Sequence, residues 1–144
     1  MTTPVNIIAV GGGKGGIGKS VICTNLAAGM ALSGQKIILM DTDFGASNLH
    51  ALLGIGNPAY GFQDFFTDKV TDPKALLLDT GISNLKFVSG AGDNPGSANI
   101  DSEKIGAIVS FIKICKQILF FSTWVLEPIT TSLTFLISAH KVWF

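Results

Sequence analysis

The eight residues Gly13-Lys14-Gly15-Gly16-Ile17-Gly18-Lys19-Ser20 constrain this chain more than any other part, because they fit GxxxxGK[ST] without a mismatch. Glycines at this spacing let the backbone curl so that successive N–H groups point inward at a β-phosphate. A helix beginning near Lys19 adds the positive end of its dipole to the same anion. Lys19 can neutralise charge on the β- and γ-phosphates, and the Ser20 hydroxyl can ligate Mg²⁺. The mechanism demands a buried strand before the loop and a helix after it. Residues 6–10 are such an apolar run, and residues 20–33 read as a helix stopped by Gly34. A chance glycine-rich turn would not need that context. The nucleotide-binding stretch is therefore read as running from Gly13 through Val21.

The alternation continues beyond the loop. Residues 36–40 predict a second buried strand ending at Asp41, and residues 48–53 and 61–66 predict short helices. Asp72-Pro73 opens a further helix through Leu78, since proline suits a first turn. Residues 85–88 predict a third strand closed by Ser89-Gly90, and residues 105–118 another helix. Strands alternating with helices predict an α/β protein built on a parallel sheet with flanking helices.

Composition narrows the partners. With 47% apolar and 14% charged residues, the 144-residue chain is one globular domain or a piece of one. Its formal net charge is zero, so the overall balance offers no direct evidence for nucleic acid. All ten basic residues are lysines, so any cation acting on phosphate must be a lysine. Cys23 and Cys115 match no metal spacing, which predicts a reduced, cytoplasmic protein. Cys23 and His50 read as packing or surface residues rather than ligands. The N-terminus lacks a basic region ahead of its apolar run, so no signal peptide is expected.

Lys14 carries a more specific resemblance. The string Lys-Gly-Gly-x-Gly-Lys-Ser resembles the deviant Walker A box of the MinD/ParA/Mrp/nitrogenase-iron-protein superfamily of P-loop ATPases. That resemblance implies a Rossmann-like P-loop NTPase fold, bound ATP and Mg²⁺, and a homodimer formed through the bound ATP. It also implies that Lys14 reaches the partner's phosphates, in the manner of an arginine finger; the alternative is a solvated loop lysine. Asp41-Thr42-Asp43-Phe44-Gly45-Ala46-Ser47-Asn48-Leu49 looks like the same superfamily's switch I. By resemblance, Asp43 orients the attacking water, Asp41 supports the Mg²⁺ shell and Asn48 contacts the partner side. The alternative for the two aspartates is that they cap the next helix. The match runs from about Val5 to about Asn99, and Asn48-Leu49-His50 with residues 79–85 looks most like the FlhG/MinD-like branch.

Family membership implies an ATP hydrolase that acts as a nucleotide-dependent dimerisation switch for spatial positioning, as in cell division, chromosome partition or flagellar number. A regulatory partner is implied but not identified. A second reading is a metal-cluster carrier of the Mrp or iron-protein type, which would need cluster cysteines. A third is a small membrane-anchored protein, should the apolar C-terminal run be a span.

The resemblance stops in the second part of the chain. All 17 glycines lie at or before Gly106, both tryptophans come after it, and no Asp occurs from Ile114 onward. A complete member would supply, soon after Lys113, a strand ending in a Walker B-like Asp-x-Gly-x-Gly, and then the rest of the sheet. The chain therefore reads as residues 1–113, about the first half of a MinD/ParA-type domain, followed by an apolar tail, residues 114–144, unrelated to the family. Membrane contact would belong to the absent C-terminal half. The tail's length suits a span of ~20 residues, but Glu127-Pro128 sits in its middle, where a charge costs about 2.5 kcal/mol or more.

The genetic code offers an explanation. Suppose the third base of each tail codon is read with the first two of the next. Gln117–Ile118 then forces Asp or Asn, Ser122–Thr123 permits Asp, Thr123–Trp124 forces Leu, Met or Val, and Trp124–Val125 forces Gly. Val125–Leu126 permits Ala, Leu126–Glu127 permits Gly, and Glu127–Pro128 forces Thr or Ala. The shifted frame thus permits Asp-Leu-Gly-Ala-Gly-Thr where the family would put it. Loss of one base, or gain of two, near codons 111–114 would account for the tail, and the chain as written is expected to have little turnover.

Overall fold

Apolar runs of four or five residues form the central strands, because a strand buried on both faces needs no polar alternation. The computed structural model describes residues 6–10, 18–43, 48–90, 102–115, 118–122 and 142–143. Its strands are β1 Ile7–Val10, β2 Ile37–Asp41, β3 Leu78–Asp79, β4 Leu85–Val88, β5 Ile118–Ser122 and β6 Val142–Trp143. Its helices are α1 Lys19–Leu32, α2 Leu49–Leu52, α3 Phe62–Phe66 and α4 Ser102–Cys115, with a 3₁₀ turn at Pro73–Leu76. The sheet runs β3-β4-β2-β5-β1-β6. All pairings are parallel except β3 with β4.

Alternation along β2 divides the core between two faces. Ile37 and Leu39 join Leu85, Phe87, Leu49 and the α1 residues Cys23, Ala27 and Ala31 on one side. Those three small residues recur every four positions, so they lie on one stripe of α1 and let it pack close to the sheet. Ile38 and Met40 join Ile7, Val88, Phe62, Ile108 and Phe111 on the other side. There Phe62 of α3 meets Phe111 of α4 edge-on, with centroids 5.1 Å apart. Each such fully buried side chain contributes about 1.5–3 kcal/mol.

The stop at Gly34 is a backbone device. Gln35 N–H donates to the Met30 carbonyl at 3.2 Å and Gly34 N–H to the Ala31 carbonyl at 3.0 Å, with Gly34 at φ +98°. These bonds satisfy two carbonyls that the helix end would leave unpaired. Gly34→Ala places a Cβ in the left-handed region, although no neighbour lies within 4 Å of that Cβ. The expected cost is about 1 kcal/mol of stability, measurable as a lowered urea midpoint at unchanged slope; an unchanged midpoint would show that the turn relaxes freely.

Two expectations are corrected. The helix predicted through Leu78 is a 3₁₀ turn ending at Leu76, and Leu78–Asp79 instead forms an antiparallel edge strand. Cross-strand pairing outweighs local helix signals there: Asp79 lies opposite Lys86 in the β3–β4 register, and Lys86 Nζ donates to Asp79 Oδ2 at 3.1 Å. The sheet is accordingly mixed, not wholly parallel. Part of the apolar tail, residues 118–122, is a central strand of the sheet. Ile118–Ser122 pairs with β1 on one side and β2 on the other. A sheet interior asks only for a short apolar run, and Ile-Leu-Phe-Phe-Ser supplies one. No described helix is long and apolar enough to cross a membrane.

Candidate functional site at the strand ends

β1, β5 and β2 are adjacent and parallel, and Val10, Ser122 and Asp41 stand in register at their C-terminal ends. Ligands of open α/β sheets bind at this edge, where side chains and helix N-termini converge. The phosphate loop joins two elements here. Its residues Gly13, Lys14, Gly15, Gly16 and Ile17 lie outside the described residues, but both anchors are described: β1 ends at Val10 and α1 begins at Lys19.

The start of α1 is built for an anion. Gly18 precedes it at φ +86°, a left-handed conformation open to glycine, and supplies no side-chain cap. The Gly18 carbonyl accepts the first helical bond from Ile22 N–H at 2.9 Å. The first turn holds no acidic residue, so no carboxylate competes for the N–H groups that a helix leaves unpaired at its N-terminus. Lys19 is buried at 7% exposure, Ser20 is half-buried, and Val21 is 51% exposed. Lys19 and Cys23 lie one turn apart on the same stripe.

Asp41 sits at the end of β2 with 2% exposure. Its Oδ1 accepts from Asp43 N–H at 3.0 Å, and its Oδ2 accepts from Asn48 N–H at 3.0 Å and Leu49 N–H at 3.2 Å. The carboxylate thus caps α2 and ties the backbone of Asp43, Asn48 and Leu49 to the end of the strand. For Asp41 this is the capping alternative open in the sequence. Asn48 meets Asp41 through its backbone N–H, and the residue is exposed. Asp43 is half-buried beside Asp41, and residues 44–47 lie outside the described residues.

The two halves of the site are neighbours. Burial, and secondarily the charge of Asp41, push the Cys23 thiol from an ordinary 9.0 up to about 12. Desolvation and a nearby anion both disfavour the thiolate, so Cys23 is a packing residue at neutral pH. Because the folded value is raised, this contribution to stability is complete below pH 9 and is lost as pH climbs toward 12. Cys115 packs against the opposite core cluster, so within one chain the two cysteines flank opposite faces of the sheet. Among the described residues no three His, Cys, Asp or Glu side chains gather into a metal-binding group. His50 is half-buried on α2, in keeping with a packing role. One acid was not singled out in the sequence: buried Asp64, which accepts from Gly61 N–H at 2.8 Å and caps α3. Its signal was the Gly-x-x-Asp spacing ahead of an apolar turn.

Residues 4–89 match the family described as ParA, NUBPL iron-transfer P-loop NTPase. The chain belongs to that family. Among ParA-family relatives, it is 38% identical over 108 residues to the septum site-determining protein MinD of Synechocystis, covering 74% of this chain and 40% of that one. It is 40% identical over 78 residues to the antiactivator FleN of Pseudomonas aeruginosa, covering 54% of this chain and 28% of the other. A chain of the MinC:MinD cell division protein complex of Aquifex aeolicus superposes with a TM-score of 0.69 at 25% identity, over 94% of this chain and 53% of that one. MinD of Pyrococcus horikoshii, solved with Mg-ADP, superposes with a TM-score of 0.66 at 16% identity, over 96% of this chain and 68% of that one, a likeness of fold. The chain therefore spans about two fifths of the length of the curated MinD relatives it matches.

Proposed function

We propose that this chain is the N-terminal part of an ATP-binding ParA-family domain whose complete form is an ATPase, a nucleotide-dependent dimerisation switch for spatial positioning. The observation that carries the reading is the start of α1: an N-terminus without a side-chain cap or acidic residue, opened by left-handed Gly18 and holding buried Lys19. It follows a loop whose sequence fits phosphate binding at every position. The relatives named for septum placement and for an antiactivator favour positioning over cluster carriage, as do two cysteines on opposite faces of the sheet.

In this reading the backbone N–H groups of Gly13–Gly18 and Lys19 hold the β- and γ-phosphates. Lys14 approaches the phosphates of a second copy, Asp43 orients the attacking water, and Asn48 contributes to the partner side. Phosphoryl transfer asks for positioning and placed charge, which these roles supply. Mg²⁺, when bound to a complete site, would offset negative charge between the phosphates. Ser20 and Asp41 are the donors this chain offers it, and Asp41 already accepts three backbone N–H bonds. A carboxylate has about four acceptor positions, so Asp41 fits a supporting role better than a direct ligand. We further propose that residues 114–144 are read out of frame and that the intact protein continues through a Walker B-like strand.

Lys19→Ala tests the nucleotide reading. Losing a charge-assisted contact of ~1.5–3 kcal/mol should weaken binding of a fluorescent ATP analogue about 10- to 100-fold. Equal affinity in parent and variant would remove the loop from the site.

A further inference from the structure

The outer face of α1 has the makings of a contact with another helix. No charged residue stands between Lys19 and Lys36. On the side turned away from the sheet, Val21 is 51% exposed, Ile22 52%, Leu26 49% and Leu32 71%. The polar side chains of that face do not offset this. Asn25 Nδ2 donates to the Val21 carbonyl at 2.8 Å, and the Ser33 hydroxyl donates to the Met30 carbonyl at 2.7 Å, so both spend a donor on their own helix. Gly29 lies exposed in the middle of the face, and a Cβ there would meet nothing within 4 Å. Glycine inside a helix is less stable than alanine, and no contact within the chain asks for it. The close approach of a second backbone does.

The spacing names the occupant. Leu26 and Leu32 stand three residues before and after Gly29, and Asn25 and Ser33 stand four before and after it. Three residues turn a helix by about 300°, so the two leucines lie equally far below and above Gly29, about 60° to opposite sides of it. A half-turn about an axis through Gly29, perpendicular to the face, carries the place of Leu26 onto that of Leu32. The face is its own complement, as an isologous contact demands. We propose that α1 pairs antiparallel with α1 of a second copy of this chain, crossing at Gly29, so that Leu26 of each copy packs on Leu32 of the other. The four apolar residues expose roughly 400 Å² per copy, about half of what each partner gives a standard stable interface. The dimer is therefore reversible on dilution. It needs no nucleotide, which separates it from the ATP-bridged dimer of the proposed function.

Sedimentation of the 144-residue chain in EDTA, without nucleotide, should show a monomer–dimer equilibrium that shifts with concentration through the micromolar range. Leu32→Glu should weaken the dimer about tenfold or more, as should Leu26→Lys, because each sets an unpaired charge in the contact. A chain carrying both changes should recover most of that loss, since the pairing places each new cation against a new anion of the other copy. Gly29→Leu separates pairing from unspecific adhesion. It adds apolar surface and a better helix former where the fold has room, so mere stickiness would grow, whereas a close crossing at Gly29 should weaken about tenfold. All these positions are exposed, so circular dichroism should match the parent's. A parent that stays monomeric at about 100 μM would leave the face to another occupant and overturn the inference. So would a Gly29→Leu chain that associates as tightly as the parent or more, or aggregation that none of the variants changes.

Discussion

Lys14→Ala, placed in a frame-restored full-length chain, is expected to leave nucleotide bound while hydrolysis falls about 10³-fold or more, the scale of losing a finger residue. The 144 residues contain no arginine, so any cation that this part of the chain lends to a second copy's phosphates is a lysine. Lys19 is occupied in its own chain: it is buried at the first position of α1, next to the stripe that packs on the sheet. Lys14 is the other lysine of the loop, and by resemblance it serves the second copy. A group that acts only on the transition state lowers kcat and leaves ground-state affinity nearly intact. The measurements are kcat under saturating ATP and Kd for a non-hydrolysed analogue. If kcat is unchanged, Lys14 is a solvated loop lysine; if Kd collapses together with kcat, it serves its own chain's nucleotide.

Restoring the frame near codon 113 should convert a poorly soluble protein with negligible turnover into a soluble one with measurable ATP hydrolysis. Two features lead to this. The sequence has no aspartate from Ile114 onward to serve as the Walker B-like carboxylate proposed for the intact protein, and catalysis by placed charge is sensitive to each missing group. The outer side of α1 also shows Val21, Ile22, Leu26 and Leu32, between 49% and 71% exposed, and the helix carries no charged residue after Lys19. A helix that is apolar on its outer side belongs in a larger core, and apolar surface left open favours association. Sedimentation of the two proteins and phosphate release by each would decide. A 144-residue protein that is a soluble monomer and turns over ATP at ~1 s⁻¹ or faster would show that residues 114–144 build a working part of the site.

The strand before the loop, the helix after it, the strand beyond and the stop at Gly34 were legible in the sequence, because each depends on local rules: apolar runs, helical pattern, a helix end. Predicted strand 36–40 and observed Ile37–Asp41 differ by one residue at each end, and strand 85–88 is observed as Leu85–Val88. The family was legible too, since Lys14, Lys19 and the Asp41-to-Leu49 string lie in contiguous segments. The antiparallel edge at Leu78–Asp79 was not, because two residues carry no periodicity and their strand exists only by pairing with Phe87 and Lys86. For Asp41 the sequence left two uses open, and the fold chose between them: a carboxylate seven residues from Asn48 becomes a cap only when the two are brought together. The place of β5 needed the tertiary structure most of all. An apolar pentapeptide says that it will be buried, but only the gap between β1 and β2 says where, and only that register sets Ser122 beside Asp41. Local sequence determined which groups are available for phosphate, whereas long-range pairing decided which of them stand together, since strand order depends on contacts between residues far apart in the chain.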